Sequence, residues 1–122
     1  MNNQNLTLSI TLATGDIARI TNAPQELLTM IPSDQWDTIQ DLIVGALDDQ
    51  DGSPQLDEVE IGNLEYHENI HQGTFRMFFL IHRRFCCSEQ VSWAKDYVDW
   101  TFSIQQDKLL ATAAYFNWTL DN

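Results

Sequence analysis

Val98-Asp-Trp-Thr-Phe-Ser-Ile-Gln105 alternates apolar Val98, Trp100, Phe102 and Ile104 with polar Asp99, Thr101, Ser103 and Gln105. A period of two is the mark of a strand with one face in a core and the other in water. Gln106-Asp107-Lys108 has turn chemistry, so the chain is expected to reverse and return as a last strand over residues 109–120. Upstream, TFRMFFLIHRRF (74–85) is nearly continuous in apolar residues from Phe75 to Ile81. Such a run predicts a central strand covered on both faces. Between these two strands, residues 88–97 are ambiguous: the spacing of Val91, Ala94 and Val98 permits a short helix, and a loop fits equally well.

Further towards the N-terminus, Val59 and Ile61 alternate with Glu58 and Glu60, and Gly62 breaks the alternation before Leu64 and Tyr66, as at a bulge. The chain begins with another alternation, Leu6, Leu8, Ile10 and Leu12 against Thr7, Ser9 and Thr11. Gly15-Asp16 reads as a turn after which residues 17–21 return as a second strand. Pro24 to Met30 reads as one or two helical turns, and Pro32-Ser33 opens the clearest helix, 34–48. Ser33 is placed to cap it, and Asp34 and Asp37 fall in the first turn, where negative charge suits the helix dipole. Trp36, Ile39, Ile43, Ala46 and Leu47 form its core-facing stripe. Gly45 weakens it by up to about 1 kcal/mol relative to Ala. The turn-rich DDQDGSP (48–54) ends it. Hairpin-length connections then predict an α+β fold: an antiparallel sheet of five to six strands, with one main amphipathic helix packed on one face, in a single domain over 1–122.

The chain carries a formal charge of −12, yet 43% of its 122 residues are hydrophobic and 11% aromatic, enough to build a core rather than stay disordered. No apolar run reaches the length of a membrane span. The start, MNNQNLTLSITLATGD, lacks the basic and apolar regions of a signal peptide, so a soluble cytoplasmic protein is expected. Cys86 and Cys87 are adjacent, which implies no disulfide framework and lacks the usual Cys-x-x-Cys redox spacing. Acidity also argues against direct contact with nucleic acid or anionic lipid, since phosphate binding needs Lys and Arg.

The charge is segregated. Residues 20–75 hold twelve acids (Glu26, Asp34, Asp37, Asp41, Asp48, Asp49, Asp51, Asp57, Glu58, Glu60, Glu65, Glu68) and no Lys or Arg, whereas the rest holds six of each sign. At about 100° per residue, Asp34, Asp37, Asp41 and Asp48 fall within roughly 60° of one another, opposite the apolar stripe. These four, extended by Asp49, Asp51, Asp57, Glu58, Glu60 and Glu65, are the candidate partner-binding residues. A one-signed field attracts and steers partners of the opposite sign. The helix stripe has one carboxylate per roughly 5 Å of axis, thinner than the one phosphate per about 3.4 Å along a DNA strand. Imitating a duplex therefore needs the loop and strand acids to join the stripe in one continuous, cation-free patch. The competing interpretation is a surface that is merely solubilising.

In size, acidity and charge patterning over Glu26 to Glu68, the chain resembles the small acidic DNA-mimic proteins of bacteria and phages. The resemblance implies a non-enzymatic protein without cofactor or metal that occupies the DNA site of a basic nucleic-acid-handling protein, such as histone-like HU, a repair or restriction enzyme, or a CRISPR nuclease. An immunity protein neutralising a toxic nuclease is the alternative, with similar electrostatics plus apolar hot spots against one cognate toxin.

Two metal motifs stand beside this. His67-Glu68-Asn69-Ile70-His71 is a formal H-E-x-x-H, which binds zinc when a helix puts both imidazoles on one side of the metal. Gly62 and Gly73 bracket too few residues for that helix, and Thr74 stands where the metzincin extension needs Gly, so a zinc hydrolase ranks below both binding readings. Setting Gly52 at position 6 of an EF-hand loop places Asp49, Asp51 and Glu58 correctly, but puts Leu47 at position 1, where it cannot bind calcium.

Overall fold

Five strands pair in one antiparallel sheet in the order β1-β5-β4-β3-β2. They are β1 (Asn3–Thr11), β2 (Gln55–His67), β3 (Gln72–Arg84), β4 (Val91–Gln105) and β5 (Lys108–Phe116). The computed structural model describes residues 3–47, 50–84 and 91–116. β2 to β5 form a meander of hairpins, while β1 pairs with β5 at the far edge from β2. The chain between β1 and β2 must therefore cross the sheet. It does so in short helical pieces: α1 (Asp16–Asn22), a 3₁₀ turn (Pro24–Glu26), α2 (Leu27–Met30) and α3 (Ser33–Gly45).

Alternation decides which face they cover. Leu6, Leu8 and Ile10 of β1, Phe75, Met77, Phe79 and Ile81 of β3, Val98, Trp100 and Phe102 of β4, and Leu109, Ala111 and Tyr115 of β5 are buried in one cluster. Ile20, Leu27, Ile39 and Ile43 from the crossing helices join them there. The opposite face of the sheet stays in water. The sheet is thus apolar on one side only, as antiparallel sheets commonly are.

Several expectations need correction. Residues 17–21 are part of α1, not a second strand. Gly15 adopts φ 89°, and the Asp16 carboxylate then accepts the Ala13 N–H at 2.7 Å, turning the chain into a helix. Ile17 and Ile20 are three apart, which suits a helical face, and five residues are too few to tell that spacing from alternation. Three short helices make the crossing. α3 stops at Gly45, which makes Gly45 terminal, and Pro32 rather than Ser33 is its N-cap, with no side-chain capping bond.

β3 is an interior strand between β4 and β2, but the middle strand of the five is β4, and only one face of β3 is covered: Phe78 is exposed and Leu80 half-buried. Residues 91–97 belong to a strand, not to a helix or loop. β2 carries two bulges, between Asp57 and Glu60 and between Gly62 and Glu65, with Glu58 (φ 50°) and Asn63 (φ 52°) in the left-handed region. Each bulge sets two β2 residues against one of β3 and bends this edge strand. The break after Gly62 is the one the sequence pattern signals. The expected extension of the last strand over 117–120, and Cys86 and Cys87, lie outside the described residues.

Candidate protein-binding surfaces

The two faces of the molecule differ in charge. On the helical side, Ile39 and Ile43 anchor α3 in the core, so Asp34, Asp37 and Asp41, about half a turn away, project into solvent. All three are exposed, and no ion pair reaches them among the described residues. Arg19 is the one cation in residues 16–47, and it is engaged by Asp16 at 3.2 Å and Glu26 at 2.7 Å. Asp48 and Asp49 lie outside the described residues. Asp51 is exposed in the turn before β2, where its carbonyl oxygen accepts a bond from the Arg83 guanidinium at 2.7 Å.

The β2 acids are elsewhere. Asp57, Glu60 and Glu65 pair in register with Leu80, Phe78 and Thr74, which places them on the open face of the sheet. Asp57 lies 3.2 Å from His82 Nδ1 and Glu65 4.0 Å from His67 Nε2. Glu58 is exposed in the first bulge. Among the described candidates, the α3 row of Asp34, Asp37 and Asp41 and the β2 acids Asp57, Glu60 and Glu65 lie on opposite faces of the sheet and do not merge into one field.

The open face also holds residues the sequence pattern hid. Phe78, Trp93 and Tyr97 are 37%, 50% and 43% exposed, and all three occupy outward positions on the paired strands β3 and β4. Each ring has a fixed neighbour. Arg76 is held by Asp99 through two bonds of 2.7 and 3.0 Å and lies 3.9 Å above the Tyr97 ring. His82 stacks on Trp93 with centroids 4.0 Å apart. Gly62 leaves room for the Phe78 ring, since a Cβ there would sit 3.1 Å from Phe78 Cε2. Further along the same face, Thr7, Thr112, Thr101 and Thr74 are in register across four strands and all exposed.

The H-E-x-x-H residues form the β2–β3 hairpin turn rather than a helix. His67 ends β2, the His71 N–H bonds the Glu68 carbonyl oxygen at 3.3 Å, and His71 has φ 55°. His71 Nδ1 sits 3.4 Å from the Tyr66 hydroxyl in a groove beside α1, while His67 borders a different groove on the open face. The turn does not bring the two imidazoles to one side. Among the described residues, no three His, Cys, Asp or Glu side chains gather as metal ligands, and no helix is long and apolar enough to cross a membrane. Searches of protein-family models, curated proteins and solved structures found no match to this chain.

Proposed function

We propose that this is an acidic binding protein of the cytoplasm that occupies the DNA-binding surface of a basic nucleic-acid-handling protein and blocks or modulates it. The observation that supports this is the exposed carboxylate row Asp34, Asp37 and Asp41 on the helical side, which no ion pair reaches among the described residues. In this reading α3 is the principal helical cover of the sheet and carries the recognition surface on its solvent side. Asp48, Asp49 and Asp51, which follow α3 in the sequence, belong to the same candidate binding set. The β2 acids face away and serve this contact only through the long-range field, which still speeds encounter. The protein would act by exclusion, without chemistry and without touching nucleic acid itself.

The test is competition. Purified protein is titrated into complexes of labelled duplex DNA with a panel of basic DNA-binding proteins. Displacement of DNA from several of them, weakening steeply as salt is raised, is the expected result. Binding to one nuclease and no other basic protein would turn the reading into that of an immunity protein. No displacement anywhere at low salt would remove it.

A further inference from the structure

The open sheet face is balanced in charge, unlike the helical side. Its outward positions carry four acids, Asp57, Glu60, Glu65 and Asp99, against four bases, Arg76, Arg84, Lys95 and Lys108. Among them stand the exposed Phe78, Trp93 and Tyr97. We infer that this face is where two copies of the chain meet, sheet against sheet, about a two-fold axis.

Three observations carry it. First, three large exposed rings on one face of two paired strands mark an interaction surface rather than ordinary solvated strand. The rings are pinned by Arg76, His82 and the gap at Gly62, so little side-chain freedom is lost on contact. Secondly, charge selects the occupant. Two chains of −12 repel through their acidic sides, and a strongly basic partner gains most on the helical side. The neutral face suits a neutral partner. Glu60 stands on β2 and Lys95 on β4, and no ion pair reaches either among the described residues, so a two-fold that sets β2 of one copy over β4 of the other puts these unlike signs together. Thirdly, the area is adequate. Five strands about 4.8 Å apart and about 30 Å long present roughly 700 Å² per copy, within the range of stable interfaces. Face-to-face sheet packing about 10 Å apart is a standard arrangement. The α3 stripes would then point outwards from both sides of the pair. Pairing through the open face is independent of what the stripe binds.

The test is sedimentation velocity of the full chain across a concentration series at about 0.1 M and about 1 M salt, where the screening length falls from about 10 Å to about 3 Å. The expected result is a species of twice the 14.1 kDa chain mass that tightens at high salt, because screening relieves the net repulsion. Binding of the α3 stripe to a basic partner moves the opposite way with salt, so the two ideas fail separately. Phe78→Asp and Trp93→Asp, each checked for unchanged circular dichroism, should weaken the dimer roughly 30-fold or more. Hydroxyl-radical footprinting of the unaltered chain provides a readout that needs no variant: Trp93 and Tyr97 should become protected as concentration rises. A chain that stays monomeric at high concentration in both salts overturns the inference. So does a dimer that leaves Trp93 and Tyr97 unprotected, or one that survives both substitutions.

Discussion

Gln35, in the first turn of α3, closes the free edge of β1 by accepting the Ser9 N–H and donating to the Ser9 carbonyl, both at 2.8 Å. Gln25 does the same for β2 at the other edge, accepting from Ile61 N–H at 2.9 Å and donating to the Val59 carbonyl at 3.2 Å. Edge strands offer unpaired backbone groups that invite pairing with other chains. A primary amide matches them because it presents one donor and one acceptor side by side. Gln25→Ala and Gln35→Ala should each lower stability by about 1 kcal/mol in urea unfolding. The edges are about 19 Å apart, so the double variant should lose the sum. The double variant should also aggregate sooner on heating. Two silent substitutions would mean that water replaces these bonds without loss.

The rings of Tyr66 and Phe102 stack with centroids 5.9 Å apart, although β3 lies between their strands. Gly73 is the residue between them in register, and a Cβ there would collide with the Glu65 carbonyl oxygen and stand 2.5 Å from Phe102 Cζ. Gly73→Ala should cost about 2–3 kcal/mol, the upper part of the usual range for forcing extra volume into a packed site. Gly45 gives the contrast. Nothing lies within 4 Å of a Cβ built at that helix-terminal position, so Gly45→Ala should stabilise by about 0.5–1 kcal/mol. Thermal melts of the two variants should shift in opposite directions.

Tyr115 is buried, and its hydroxyl donates to Asp96 Oδ2 at 2.6 Å. Burial first, and then this bond to a carboxylate, push its pKa well above the ordinary value of 10.0. In the unfolded chain the phenol ionises near pH 10. Above that pH the unfolded state binds fewer protons than the folded one, so stability falls as pH rises. Below pH 10 the contribution is fully present. The native protein should therefore lose stability steadily in alkaline titrations above pH 10. Tyr115→Phe should flatten that slope while costing about 1–2 kcal/mol at pH 7, because Asp96 loses a partner. An unchanged alkaline slope in this variant would assign the titration to another group.

What the residue pattern revealed, and what it hid, follows from which face carries the information. β1, β4 from Val98 onward and β5 have apolar residues inward and polar ones outward, so their alternation is plain. Residues 91–97 invert that rule. Asp96 takes the inward position, satisfied by Tyr115, while Trp93 and Tyr97 point outward. Hydropathy then shows no strand, and the aromatic cluster that marks the open face is itself what concealed it. Phe78 misled in the other direction, making β3 read as covered on both faces. The acids of 20–75 were contiguous in sequence, but a strand acid and a helix acid separated by a crossover need not share a surface. Nothing in their spacing could show that β2 would turn Glu60 and Glu65 away from α3.

Because the α3 row and the β2 acids Asp57, Glu60 and Glu65 lie on opposite faces, each set can be neutralised without touching the other. Replacing Asp34, Asp37 and Asp41 together by Asn should leave stability within about 0.5 kcal/mol of native. Asp34 loses a favourable position in the first turn, while Asp37 and Asp41, four apart, lose a mutual repulsion of similar size. Binding should respond far more. If each carboxylate contributes about 0.5–1 kcal/mol at the contact, the triple variant weakens affinity for a basic partner roughly 10- to 100-fold and lowers its salt dependence. The matched control is Asp57, Glu60 and Glu65 changed to Asn or Gln. It removes the same formal charge from the opposite face, so it slows association slightly through the weaker field but leaves the dissociation rate unchanged. Stopped-flow association and dissociation rates for the two variants separate a local contact from a general charge effect. Equal losses in both would mean that net charge alone drives binding and that α3 has no special place in it.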